Sequence, residues 1–438
     1  METLTIKHKG RILKDNNVNQ QVIGLFGLGN VGHALYKVIS EVPKNKAYIK
    51  QVCVKQRNKT RYVPPEIITY NHNDIINDPE INLVVELIDN ANEAYDIVKG
   101  ALLKGKSVVS GNKTMLAHHL PELIAIQHET GAALLYDASA CGSIPIIRNL
   151  EEYYDNDLLK SIKGILNGSS NYILTQIFNC GEDYSSALKK AQELGFAESN
   201  PDFDVLGFDA LYKLVILAVH GFGTYVNPSN AFCYGISNIS NHDVQFAREK
   251  GKKIKLVAQL QKLNHKHFTL FVIPTLIDPT DYIFNVDDEF NGVIIEGEYY
   301  DKQFLFGKGA GGFPTGSAVL SDITARFHNY RYEYKKQNYF TPPEYSTDVE
   351  LELYIRYHKL TDVTILGKRK ISEQYVANDY RWEIAWIKLS DLIRVKELLP
   401  KLNIFIASTG KFKFEPNEEN GTKGKENDSE YVPIIDAF

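Results

Sequence analysis

The stretch that most constrains this chain is Gly27-Leu28-Gly29-Asn30-Val31-Gly32, a G-x-G-x-x-G turn between an apolar run and a helical pattern. The run is Val22-Ile23-Gly24-Leu25-Phe26, and the helical spacing continues to about Glu41. In that setting Gly27 allows the tight turn, Gly29 lets backbone approach a pyrophosphate, and Gly32 lets helix pack on strand. The helix N-terminus adds free amides and a positive dipole for the phosphates, so 27–32 is predicted to hold a dinucleotide. Apolar runs at Ile49–Val54, 82–88, Ser107–Val109 and Ala132–Tyr136 alternate with helical patterns at Asn92–Lys104 and Leu120–Glu129. Such alternation reads as βαβ units on a parallel sheet. The prediction is an α/β Rossmann-type domain over 21–150, behind a polar N-terminal extension over 1–20.

After about residue 150 the texture changes. Strand patterns at Ile162–Leu166, Lys253–Gln259, Phe268–Leu276, Val293–Glu296 and Phe304–Phe306 are joined by short polar links, which suggests antiparallel hairpins. Helices at Asn171–Phe178, Tyr184–Leu194 and about Val205–His220 should cover one face, making 151–306 an α+β domain. A third segment, 345–410, reads as strand, hairpin turning at Asn378-Asp379, helix and strand. Residues 411–438 read as a charged tail.

Net charge is −5 over 438 residues, which argues against a nucleic-acid or membrane coat. Cys53, Cys141, Cys180 and Cys233 form no C-x-x-C pair, which fits a reducing, cytoplasmic setting. No apolar stretch is long enough to span a bilayer.

Two charged features stand out. Past the second strand the chain reads Val54-Lys55-Gln56-Arg57-Asn58-Lys59-Thr60-Arg61, with no carboxylate for a ribose 2′-hydroxyl. Lys55 and Arg57 suit a 2′-phosphate, so NADP(H) is expected, with NAD(H) as second candidate. The helix after Asp204 is apolar all round except Asp209 and Lys213, an i, i+4 pair. A structural ion pair and a lysine held ready for proton transfer are equally open on residue types alone.

The wider motifs carry a resemblance. Gly164-Ile165-Leu166-Asn167-Gly168-Ser169-Ser170-Asn171-Tyr172-Ile173-Leu174 is similar to the G-x-x-N-G-[ST]-x-N-Y-I-L segment of homoserine dehydrogenases. The stretch from Ala191-Gln192 to Lys213 resembles that family's A-Q-x-x-G-[YF]-A-E-x-x-P-x-x-D-x-x-G-x-D-x-x-x-K, and Gly307 to Thr315 its G-x-G-A-G-x-x-P-T. Gly111-Asn112-Lys113 is similar to its A-N-K.

The resemblance implies a reversible, NAD(P)-dependent reduction of L-aspartate 4-semialdehyde to L-homoserine, by a homodimer or tetramer. It implies Lys213 as acid/base, Asp209 as its orienting partner and Lys113 as a second essential lysine reaching cofactor and substrate. Glu198 and Asp204 would hold the substrate ammonium, Gly168 and Ser169 would lie against substrate and nicotinamide, and Gly309 against the cofactor. The Rossmann unit would be completed by about 307–335. A monovalent cation, Na or K, would sit on Asp137 and on backbone at Ala140, Gly142 and Ile144, although Asp137 stands where the family has Glu. The C-terminal segment resembles a degenerate ACT (ferredoxin-like) module lacking the D-x-P-G-V-L loop. Two rivals are a silent NADP(H)-binding sensor and a phosphorylating semialdehyde dehydrogenase using Cys141.

Overall fold

The computed structural model describes residues 20–41, 46–377 and 379–414. The expected N-terminal extension up to residue 19, Asn378 in the hairpin turn, and the tail from 415 lie outside them. The first unit contains β1 (Gln21–Phe26), β2 (Ala47–Cys53), β3 (Ile68–Thr69), β4 (Leu83–Glu86), β5 (Ser107–Ser110) and β6 (Leu134–Leu135). They pair in the order β3-β2-β1-β4-β5-β6, all parallel. Helices α1 (Asn30–Glu41), α2 (Asn73–Ile76), α3 (Ala91–Leu103) and α4 (Lys113–Thr130) accompany them. This is the predicted Rossmann arrangement, with β1 central and its exit at the glycine turn. All four residues of β4 and of β5 are buried, as strands covered on both faces must be.

Two boundaries differ from the sequence pattern. Helix α4 starts at Lys113 rather than near Leu120, because the Asn112 side chain accepts from Met115 N and starts the helix early. β6 has only two residues, fewer than the apolar run Ala132–Tyr136 suggested.

The second layer is one continuous sheet rather than two separate ones. Its strands are β7 (Leu159–Ile165), β8 (Phe232–Cys233), β9 (Lys253–Lys262), β10 (His267–Ile277), β11 (Phe290–Gly297) and β12 (Lys302–Lys308), then β13 (Glu344–Tyr345), β14 (Val349–Tyr357), β15 (Lys370–Val376), β16 (Arg381–Lys388) and β17 (Ile404–Phe414). The order is β12-β11-β7-β9-β10-β17-β14-β16-β15, with β8 and β13 also on β10. Most pairs are antiparallel, whereas β8, β13 and β17 run parallel to β10.

The chain continues through α5 (Ala138–Cys141), α6 (Ile146–Glu152), α7 (Gly168–Thr175), α8 (Tyr184–Glu193), α9 (Asp202–Val205), α10 (Phe208–Phe222) and α11 (Asn241–Glu249). α12 (Gly312–Ala325) returns to pack on α1, where Gly312 and Gly316 leave room for Asn30 and Ala34. α13 (Lys335–Tyr339) precedes the last segment, which adds α14 (Leu360–Thr364) and α15 (Leu389–Val395). That segment runs β14-α14-β15-β16-α15-β17 with sheet order β17-β14-β16-β15, a ferredoxin-like topology. Its first crossover helix has only five residues. β17 runs on to Phe414, past the expected end near 410.

Candidate active site

Helix α10 begins at Gly207, whose φ of 90° suits glycine and whose Cβ position would come within 2.9 Å of Cys233 Sγ. In the first turn of the helix, the buried Asp209 lies between two lysines. Lys213 Nζ is 2.8 Å from Oδ2, and Lys113 Nζ is 2.7 Å from Oδ1. Asn167 donates to Asp209 Oδ2 at 2.8 Å and to Asp204 Oδ1 at 2.7 Å. Lys213 also donates to the Leu166 carbonyl at 2.7 Å. The Lys213 side chain is 7% exposed and that of Lys113 34%, so the second lysine faces the opening.

The electrostatics follow from this packing. Burial pushes the Asp209 carboxyl up, but the Lys113 and Lys213 ammoniums beside it outweigh burial and hold it well below the usual carboxylate range. Burial likewise opposes the Lys113 ammonium, and the Asp209 charge reverses that, leaving its pKa raised. Asp204 moves the other way: burial and the Asp209 charge raise it.

Other predicted residues converge here. Gly168 opens α7, and a Cβ there would meet the Glu289 carbonyl at 2.6 Å. The Ser169 hydroxyl donates to the Phe196 carbonyl. Glu198 is exposed and lines a cleft of about 660 Å³ that also contains Gly27 to Val31. Gly29 has open space where a Cβ would stand, while Gly27 (φ 90°) and Gly32 are so close that a Cβ on either would strike backbone. A dinucleotide therefore fits: the turn leaves a cradle beside the α1 N-terminus.

The basic loop is arranged differently from the expectation. Lys55 pairs with Glu93, and the Arg57 guanidinium lies over the Tyr70 ring, 4.5 Å from its centroid. The cleft is lined there by Lys55, Lys59, Arg61, Tyr70 and His72, but not by Arg57. Arg61 also donates to the Lys59 carbonyl at 2.9 Å, bracing the loop.

The segment assigned to a cation has its own structural partners. Asp137 Oδ1 accepts from Arg148 N at 3.1 Å, in the first turn of α6. Its own amide donates to Asp322, which Arg148 also grips at 2.6 Å. The Ile144 carbonyl accepts from Ile146 N. Gly142 and Gly309 pack together: a Cβ on Gly142 would come within 2.6 Å of the Gly309 carbonyl. Cys141 is fully buried, and burial pushes its thiol up to about 12. No thiolate nucleophile is available there.

Asn167, the Leu166 carbonyl and Tyr70 had no assigned role from sequence. Asn167 was visible in the N-G-S motif, but its link to Asp209 depends on tertiary packing. Comparison with known proteins decides the family. The homoserine dehydrogenase model matches residues 145–324, and the model for homoserine dehydrogenase, NAD binding domain, matches residues 27–137. Homoserine dehydrogenase of Bacillus subtilis is 35% identical over 361 residues, covering 79% of this chain and 83% of that protein. The chain belongs to the homoserine dehydrogenase family. Homoserine dehydrogenase of Helicobacter pylori is 39% identical over 308 residues, 69% of this chain and 72% of that protein. The crystal structure of a homoserine dehydrogenase from Thiobacillus denitrificans aligns with a TM-score of 0.75 at 29% identity, covering 90% of this chain and 97% of that one. The matched regions of the two homoserine dehydrogenase models contain Lys113, Asp209 and Lys213.

Proposed function

We propose that this protein is an NAD(P)-dependent oxidoreductase acting on a CH–OH group, interconverting L-aspartate 4-semialdehyde and L-homoserine. The observation that carries the reading is the single carboxylate of Asp209 shared by Lys113 and Lys213. The Gly27–Val31 turn and the cleft beside it would hold the dinucleotide, whose dihydronicotinamide would supply a hydride for the aldehyde carbon. Lys213 supplies the proton to the aldehyde oxygen: two of its three N–H donors go to Asp209 and Leu166, leaving one for substrate. Asp209 orients that ammonium through the 2.8 Å contact to its Oδ2. Lys113 offers its positive charge to the substrate carboxylate or cofactor, and Glu198 and Asp204 accept from the substrate ammonium. The oxygen gains one proton and the carbon one hydride, which completes the alcohol. Steady-state turnover with aspartate semialdehyde and NADPH tests the reading; no oxidation or reduction of this pair would overturn it.

The finer features belong to the same proposal. NADPH is favoured over NADH through Lys59 and Arg61, with Lys55 beside them. The Rossmann unit spans 21–150 and is completed by 307–335, the α+β domain spans 151–306, and 345–410 is an ACT-like module with a structural role. Assembly is at least dimeric and the setting cytoplasmic. Among the described residues no helix is long and apolar enough to cross a membrane. The carbonyls of Ala140, Gly142 and Ile144 are the proposed donors for a monovalent cation. Asp137 does not fit as their partner carboxylate, because it caps α6; no step of the reduction runs through that ion. The silent-sensor reading is disfavoured by the assembled lysine–carboxylate–lysine set, and the thiol-dependent rival by the buried Cys141.

A further inference from the structure

Glu86 ends β4 in the middle of the parallel sheet, fully buried, with Phe26 of β1 and Ser110 of β5 as its register neighbours. Its two oxygens serve two different chain exits. Oε1 accepts from Ile88 N at 2.7 Å, just beyond β4, and Oε2 accepts from the Ser110 hydroxyl at 2.5 Å, the last residue of β5. Ser110 Oγ in turn accepts from Asn112 N at 3.1 Å. Asn112 closes the ring by donating to the Ile88 carbonyl at 2.9 Å, and its Oδ1 caps the helix that Lys113 begins. Ile88 lines the dinucleotide cleft, and Lys113 reaches Asp209.

We propose that Glu86 is a positioning residue for the reduction, tying the exit of β4 to the exit of β5 and so fixing Lys113 relative to the cofactor cleft. A buried carboxyl without a cation beside it is costly in the middle of an apolar sheet. No cation pairs with Glu86 among the described residues; the charges of Asp89 and Glu93 repel it, and burial, the larger cause, pushes its carboxyl up to about 7. An apolar residue would fill the position without that penalty but would leave Ile88 N and Ser110 without their acceptor. Both oxygens are instead directed at the two turns that carry the cleft wall and the lysine. The proposal rests on the assignment of Lys113 to the reaction made above.

The test is a cycle in the full-length protein, using Glu86→Gln, Lys113→Ala and the double variant, with kcat, KM for aspartate semialdehyde and NADPH affinity by fluorescence. Gln retains one acceptor and replaces the other with an amide NH2, a donor, so the ring breaks at Ser110 or at Ile88. Misplacement of a reacting group by about 1 Å is worth about 10²-fold. Glu86→Gln is expected to lower kcat by about 10- to 100-fold and, because Lys113 also holds the substrate carboxylate or the cofactor, to weaken semialdehyde or NADPH binding in the same direction as Lys113→Ala does. In the Lys113→Ala background it should add less than about twofold, because the loss passes through that lysine. Unchanged kcat in Glu86→Gln, or an equal loss in both backgrounds, overturns the proposal. Full activity of Lys113→Ala instead overturns the assignment of that lysine, and this proposal with it. Should Glu86→Gln not fold, Ser110→Ala breaks the same ring and carries the same cycle, with an expected kcat loss of about three- to tenfold.

Discussion

Lys113 and Asp209 meet across the seam between the two sheets, with 2.7 Å separating the ammonium nitrogen from Oδ1. Lys113 opens α4 at the exit of a parallel strand, and Asp209 lies in the first turn of α10. The contact joins the wall of the dinucleotide cleft to the helix that carries Lys213. One buried anion is paired with two cations, leaving a net positive charge for an anionic group of the substrate, and the α10 N-terminus adds a favourable dipole for the carboxylate. The Asp209 charge raises the Lys113 pKa, and Lys213 lies beside the same carboxylate, almost fully buried.

Lys213→Ala should lower kcat by about 10²–10⁴, the usual worth of a general acid/base, and leave NADPH affinity near wild type. Asp209→Asn should also cost turnover, and it should lower the Lys113 pKa, because the carboxylate that raises it is gone. Lysine titration by NMR reads the shift directly. Near-normal kcat in Lys213→Ala would remove that lysine from the mechanism.

Glu198→Gln should raise KM for homoserine by about tenfold while changing KM for the cofactor much less. The carboxylate is exposed at the cleft rim, so a charge-assisted bond to the substrate ammonium is discounted by solvent to about 1.4 kcal/mol. Equal changes in both KM values would count against the assignment.

Cofactor choice is read from kcat/KM with NADPH and NADH, and NADPH should win by roughly tenfold. Lys59→Glu should erase that preference, since Lys59 lines the cleft. Arg57→Asp should change it far less, because that guanidinium is stacked on Tyr70. A larger effect at Arg57 than at Lys59 would show that the loop rearranges around the nucleotide.

That contrast marks where local pattern stops. The parallel βαβ architecture was legible because the glycine turn and short apolar runs alternate with helical patterns. The Asp209–Lys213 pair was legible because i, i+4 spacing is a property of the helix itself. The direction of Lys55 and Arg57 depends on Glu93 and Tyr70, which lie outside the loop, so charge alone did not show which of the loop's cations line the cleft. Short elements were missed for a related reason: Ile68–Thr69 is too brief to show alternation, and Asn241–Glu249 is largely polar, covered by the sheet on one side only. The C-terminal hairpin and its flanking strands were visible in the pattern, but not their fusion to β10, which rests on the parallel pairing of Thr275 with Ser408.

Glu86 sets a pH signature. Burial raises its carboxyl from 4.5 to about 7, so between those values the folded state holds a proton that the unfolded chain has released. Stability from this group is therefore fully present below pH 4.5 and declines as pH rises to 7, by on the order of 3 kcal/mol at most. Glu86→Gln should flatten that part of the stability profile, measured by urea unfolding at pH 5, 6 and 7. A slope identical to wild type would mean that the carboxyl titrates normally.

The C-terminal segment gives the last prediction. Arg356 on β14 is buried at 2% exposure, with its guanidinium 3.1 Å from Asp243 on α11 and 2.6 Å from the Asn238 carbonyl. Tyr354 donates to the same carboxylate at 3.0 Å, and Asn238 donates to the Leu402 and Ile404 carbonyls at the start of β17. These buried bonds fasten the ferredoxin-like segment to the α+β body. Arg356→Ala leaves the Asp243 charge buried without its cation, which costs about 3–5 kcal/mol. Denaturant unfolding should show that loss. Activity below the new transition should stay near wild type, because the pair lies away from the Lys113–Asp209–Lys213 cluster. A loss under about 1 kcal/mol would mean the segment is held by its apolar contacts alone.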